Sequence, residues 1–110
     1  MKILVCAPLQ EADSKKIQEY FINDTVVISR KPTQGDIDQA DVIVGNPHLD
    51  LNLNQAHLQA LLLNSAGSDQ YIKKSILNKN TKLTNASGSY GIAISEHVIG
   101  MMITFCKNLK

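Results

Sequence analysis

The residues best suited to ligand chemistry fall at two breaks in an apolar pattern. The first break is Asn64-Ser65-Ala66-Gly67-Ser68-Asp69, directly after Leu61-Leu62-Leu63. The second is Asn85-Ala86-Ser87-Gly88-Ser89-Tyr90-Gly91, directly after Lys82-Leu83-Thr84. Each follows a strand-like segment and precedes a helix-like one, which in an open α/β sheet is the edge where ligands bind. Small side chains at Ser65, Ala66, Gly67 and Ser68 let main-chain N–H groups converge, and such donors just before a helix make an anion site. Asp69 suits the cap of a helix beginning near Tyr71. The same residues also spell a tight Gly-Ser turn with a capping Asp and no ligand, and on the residues alone that plainer reading has the edge. The second break holds Gly88-x-x-Gly91, only half of the G-x-G-x-x-G spacing, and reads as a connector rather than a dinucleotide loop.

Other chemistry finds little support. Glu96 and His97 are adjacent at a helix start, so their side chains diverge by about 100° and do not act as a pair. Glu96 there favours the helix dipole. His48 and His57 have no Cys, His or carboxylate at metal-ligand spacing, so no metal site is expected. No G-x-S-x-G and no Walker loop is present. The first strand lacks the Ser/Thr-rich loop of a flavin site and the acidic pair of a phospho-receiver.

A length of 110 residues allows one domain with a real core, and 44% apolar with 19% charged residues describes a globular chain. The net charge of +1, without a basic stripe, gives no electrostatic reason to expect nucleic acid or an anionic membrane as partner. Cys6 and Cys106 stand near opposite ends in apolar surroundings and read as reduced, buried residues, which suits a cytoplasmic protein. The opening residues are too soon interrupted by Pro8 for a signal peptide, and no apolar run reaches the length of a membrane span.

The elements that would position these breaks alternate in type. Short apolar or β-branched runs predict strands over 3–7, 26–29, 42–45, 61–64 and 82–84. Between them, Asp13 is the expected N-cap of a helix carrying Ile17, Tyr20 and Phe21 on one face. A brief helix is expected over 33–40, a modest one through Leu53, Ala56, His57 and Ala60, and an amphipathic one over 71–77. Strands alternating with helices predict a parallel sheet covered on both faces. The size suits a flavodoxin-like five-stranded α/β domain with strand order 2-1-3-4-5.

A terminal helix over 95–109 departs from that plan. Its polar positions, His97, Gly100, Thr104, Lys107 and Asn108, form only a narrow stripe. A helix apolar over most of its circumference is buried by more than one neighbour. The small sheet covers one side; a further domain or a second copy of the chain is expected on the other.

Three segments together resemble the D-isomer-specific 2-hydroxyacid dehydrogenases: Leu62-Leu63-Asn64-Ser65-Ala66-Gly67-Ser68-Asp69, Lys82-Leu83-Thr84-Asn85-Ala86-Ser87-Gly88 and Ile94-Ser95-Glu96-His97-Val98-Ile99-Gly100. The resemblance implies a flavodoxin-like substrate-side domain over 1–92 and a crossing helix over 93–110 that leads toward a Rossmann domain for NAD or NADP. It also implies that main-chain N–H groups of Ser65, Ala66, Gly67 and Ser68, chiefly Ala66 and Gly67, hold the carboxylate of a small 2-oxo or 2-hydroxy acid. A hinge is implied over 85–91, and a Thr common at the start of the crossing helix is Ile94 here. The family's dinucleotide fingerprint and its catalytic Arg, Glu and His have no counterpart within the 110 residues. The chain is therefore expected to be inactive alone, to bind no cofactor itself and to form a homodimer. A stand-alone flavodoxin-like binding module, dimerising through its terminal helix, is the alternative from another class.

Overall fold

The alternation of strand and helix appears in the computed structural model, which describes residues 1–7, 9–63, 71, 76–84, 100 and 102–103. The order is β1 (Lys2–Val5), α1 (Glu11–Tyr20), β2 (Thr25–Ile28), α2 (Gln34–Gln39), β3 (Val42–Val44), β4 (Ala60–Leu62) and β5 (Lys82–Thr84). All four pairings are parallel and the spatial order is β2-β1-β3-β4-β5. This is the expected order. β1 and β4 stop short of the ends of their apolar runs, and ladder-like hydrogen bonds continue past strand ends: Cys6 N–H to Val44 O at 2.8 Å, Ser29 N–H to Val5 O at 2.9 Å and Gly45 N–H to Leu62 O at 2.8 Å.

Period-two alternation along each strand divides the core in two. Ile3, Val5, Ala7, Val42, Val44, Ala60 and Leu62 pack on one face with Ile17 of α1 and Phe21 at its C-terminal end. Leu4, Cys6, Ile43, Leu61 and Leu63 pack on the other with Ile37 of α2. Burial on both faces is why the central strands read as continuous apolar runs rather than alternating ones. The outer strand β2 differs. Val27 is exposed because α2 has only six residues, about 9 Å of helix, and does not extend over it. The outward carbonyl of Val26 on this edge accepts from Gln18 Nε2 at 3.5 Å.

Gly100, Met102 and Ile103 are helical, as the expected terminal helix requires. Met102 is buried in the same cluster as Ile17 and Phe21, with Ile103 packed against it. Gly100 faces open space. The helix is thus docked on the α1 side of the sheet at Met102.

Two expectations need correction. Asp13 does not cap α1: the helix begins at Glu11 with Gln10 in the cap position, and Asp13 and Ser14 direct their N–H groups to Gln10 O, each at 3.1 Å. An acid favours the helix dipole anywhere in the first turn, so the presence of Asp13 did not locate the cap. No helix forms through Leu53, Ala56, His57 and Ala60. Asn54 N–H bonds to the Asn52 side chain at 3.1 Å and Leu58 N–H to Gln55 O at 3.2 Å, so local side-chain and turn bonds replace a helical ladder. Leu53 and Leu58 still reach the core, and Ala60 opens β4 instead, paired with Val42 and Lys82. Of the helix expected over 71–77, Tyr71 and Ile76 lie in turns and Leu77 in a bend, while 72–75 fall outside the described residues. By contrast α2 forms within the expected 33–40, its start held by a reciprocal Thr33–Asp36 capping box.

Candidate functional site

Five parallel strands put all five carboxyl ends on one edge of the sheet. Strand order reverses between β1 and β3, and a crevice opens outside such a switch point. The chain leaving β1 goes to the α1 face, whereas β2 and β3 send theirs toward the α2 face. At the floor of the divergence Gly45 adopts φ +116° and lies directly on β1. A Cβ there would stand 2.6 Å from Ala7 N and 2.9 Å from both Cys6 C and Cys6 Sγ. Only glycine permits both that backbone conformation and that approach.

The residues that follow β2 and Gly45 border a cleft of about 440 Å³. One wall is Arg30, Lys31 and Pro32, which follow β2; the other is the loop after β3, including Asn46, Pro47, His48 and Leu51. Asp50 also borders it, with its carboxylate 3.3 Å from His48 Nδ1 and its N–H donating to the same nitrogen at 3.2 Å. Arg30 and Lys31 are exposed and make no ion pair among the described residues. The β3 loop is tied down at two further points. The Tyr71 hydroxyl, buried, donates to Pro47 O at 2.8 Å. Gln34 at the start of α2 brackets Asn52, accepting its N–H at 2.7 Å and donating to its carbonyl at 3.0 Å.

The candidate residues Ser65, Ala66, Gly67 and Ser68 lie outside the described residues, as do the second break over 85–91, Glu96 and His97. Their flanks are described. Leu63 N–H bonds to Thr84 O at 2.7 Å, so β4 hands the chain over at the carboxyl edge beside β5. The chain is met again at Tyr71, anchored on the β3 loop. His48 and His57 are both exposed and share no site, and no group of three or more His, Cys, Asp or Glu capable of holding a metal occurs among the described residues. Arg30 and Lys31 on the cleft wall were not singled out by sequence reading, and His48 was weighed only as a metal ligand. The Gly45-Asn46-Pro47 turn at a strand end was their one visible signal.

Cys6 beneath Gly45 is a free, buried thiol. Burial pushes its pKa up to about 12, against an ordinary value of 9.0. Burial also raises the Tyr71 hydroxyl above its ordinary 10.0, with the nearby Cys6 adding to the effect. Both groups hold their protons more tightly in the folded chain than in the unfolded one. Their contribution to stability is complete below about pH 9 and falls as pH rises through the raised values. Urea unfolding at pH 7.5, 9 and 10.5 should therefore show a declining midpoint, and Cys6→Ala should flatten part of the decline. A midpoint that holds constant to pH 10.5 would contradict the buried protonated thiol. Such a thiol is a poor nucleophile at neutral pH.

Sheet order, helix placement and the crevice together define a doubly wound parallel α/β domain of the flavodoxin-like kind. No family model matches the chain, and no curated protein matches it. Among solved structures it is similar to the crystal structure of phosphoglycerate dehydrogenase from Lactobacillus plantarum, with a TM-score of 0.62 and 24% sequence identity. The match covers 99% of this chain and 36% of that one, so the chain spans about a third of its neighbour's length. At that identity the likeness shows the fold.

The β1–α1 turn of this fold reads Cys6-Ala7-Pro8-Leu9-Gln10. Doubly wound domains that bind dinucleotides carry their glycines in that turn to admit a pyrophosphate. No glycine is present, so the sequence of this turn lacks the pyrophosphate-binding pattern.

Proposed function

We propose that this chain is the substrate-side segment of an NAD(P)-dependent D-2-hydroxyacid dehydrogenase, interconverting 2-oxo acids and D-2-hydroxy acids in its whole form. The observation that carries the reading is the superposition of nearly the whole chain on about a third of a dehydrogenase, with the expected strand order. The three segments at 62–69, 82–88 and 94–100 that resemble the family support it. In this reading the main-chain N–H groups of Ser65, Ala66, Gly67 and Ser68 hold the substrate carboxylate, a task for which converging backbone donors suffice. Tyr71 and Leu63 anchor the two flanks of that segment.

Hydride transfer needs a nicotinamide held against the substrate and a proton donor on the carbonyl oxygen. Both come from residues beyond the 110, so the segment alone is inactive and binds no cofactor. The reading includes a cytoplasmic location and a homodimer with a contact along the terminal helix over 95–109. Met102 is turned into the core, so that contact uses other residues of the helix.

The test is kinetic, on the whole enzyme. Gly67→Val removes room for the carboxylate and should lower kcat/KM for the 2-oxo acid through KM, by roughly 1–3 kcal/mol in transition-state terms. Unchanged kcat/KM would leave 64–69 as a plain turn. If the parent protein with NADH or NADPH reduced no 2-oxo acid, the assignment itself would fall.

A further inference from the structure

The geometry points to the outer edge of β2 as a contact between two copies of the chain, joined with their β2 strands antiparallel. β2 stands at one end of the sheet and pairs with β1 alone. Thr25 and Ser29 turn their N–H groups inward, to Met1 O at 3.0 Å and Val5 O at 2.9 Å. By the alternation of a strand, Val26 and Ile28 turn theirs outward. Those two N–H groups and the Ile28 carbonyl have no hydrogen-bond partner among the described residues. The Val26 carbonyl accepts from Gln18 Nε2 at 3.5 Å, a long bond from an exposed side chain that swings aside at little cost.

Sheet edges are kept from pairing by a proline or a charged residue on the strand. β2 reads Thr25-Val26-Val27-Ile28 and has neither, whereas β5, at the other end of the sheet, carries Lys82. Val27 is 42% exposed. The groove of about 50 Å³ beside it is too small to take a ligand or a further element, so the open edge is the docking feature.

Register and charge commit the occupant to a second copy. A two-fold axis at Val27 sets Val27 against its own counterpart and Val26 against Ile28, which exchange their outward N–H and carbonyl groups. The same register sets Ser29 against Thr25 and Arg30 against Asp24. Opposed residues share a face of the sheet, so the Arg30 guanidinium of each copy meets the Asp24 carboxylate of the other. Arg30 is exposed and has no ion pair among the described residues, and Asp24 meets the amino terminus through Oδ1 at 3.5 Å. In-register parallel pairing would instead set Arg30 beside Arg30 and Asp24 beside Asp24. A strand of four residues makes a small contact, so the association is weak. It is separate from the contact along the terminal helix.

The test uses the 110-residue chain without cofactor or 2-oxo acid, so its failure is distinct from failure of the dehydrogenase reading. Sedimentation equilibrium in low salt should give a monomer–dimer equilibrium with Kd about 100 μM, weakened several-fold by about 0.5 M NaCl. Amide exchange at Val26 and Ile28 should slow as concentration rises, while exchange at Thr25 and Ser29, already bonded to β1, should not. Val27→Lys should weaken the dimer about 10-fold or more. Arg30→Asp and Asp24→Arg should each weaken it about 10-fold, and an equimolar mixture of those two variants should recover the original affinity, because each opposed pair is again of unlike charge. Lys79→Glu, near the opposite edge, should change nothing. A monomer at millimolar concentration, a dimer indifferent to Val27→Lys, or a mixture no tighter than its components would each overturn the assignment.

Discussion

Gly45→Val should unfold the domain at moderate temperature. The new side chain would meet Ala7 N at 2.6 Å and Cys6 C at 2.9 Å, both main-chain atoms just beyond the end of β1, at a backbone φ of +116°. A β-branched residue is a genuine outlier there, and the backbone of β1 is held by Cys6 N–H to Val44 O and so has no freedom to retreat. Backbone strain and overpacking together should cost roughly 4 kcal/mol or more. For a domain of this size each kcal/mol lowers Tm by about 4–8 °C. Gly45→Ala should cost less, and adding Cys6→Ala should rescue little, since only the Sγ contact is relieved and the two backbone contacts persist. Thermal unfolding followed by circular dichroism measures all three. A loss below about 1 kcal/mol in Gly45→Val would mean that the chain after β3 relaxes away from the end of β1.

Met102→Ala should be nearly as damaging, although residue 102 is far along the chain in a helix that the sheet does not require. Met102 is buried to 1% exposure against the cluster of Ile17 and Phe21. Truncating a buried methionine costs about 2–5 kcal/mol, by lost burial and by the cavity left behind. Met102→Lys should cost more, because an ammonium would be placed among apolar groups without a partner. Gly100→Ala, two residues away, should do the opposite. Its Cβ would enter open space, and alanine exceeds glycine in helix propensity by about 1 kcal/mol. Urea unfolding of the two alanine variants gives the contrast directly. Equal, small effects at both positions would show that the helix is not docked on the α1 face in solution.

Much of the fold was legible because the signals are local. The β-branched run at Val26-Val27-Ile28, the double-faced apolar run beginning at Ile3, and the brief helical stretch over 33–40 each report the conformation of their own few residues. Their alternation restricts the topology to a parallel sheet, since parallel neighbours require crossovers and the crossovers are the helices. Where two conformations share one pattern, the reading went astray. Leu53, Ala56, His57 and Ala60 have helical spacing, but Leu53 and Leu58 are anchored separately in the core while Asn52 and Gln55 spend their bonds on turns. Asp13 was a plausible cap because any acid in a first turn is favourable, and only the traced hydrogen bonds show that Gln10 precedes the helix.

The Ser65-Ala66-Gly67-Ser68 motif was visible as a motif because small residues and glycine at a strand end are a statement about backbone access. What surrounds the carboxyl edge was not visible. Arg30 and Lys31 come together with Asn46 and His48 only because β1 is inserted between β2 and β3, a matter of spatial order that sequence neighbours do not encode. Tyr71 reads as one apolar position of a helix, and its partner Pro47 is 24 residues away. Gly45 reads as a strand terminator, whereas its need to be glycine comes from a close approach to Ala7 across the sheet. The sequence by itself determined the alternation of strands and helices, the two-faced core and the loop that could bind an anion, all through short-range preference and burial. Tertiary structure alone decided where the cleft lies, which cations share it and which face of the terminal helix is buried, because each depends on distances between segments that only the closed sheet brings together.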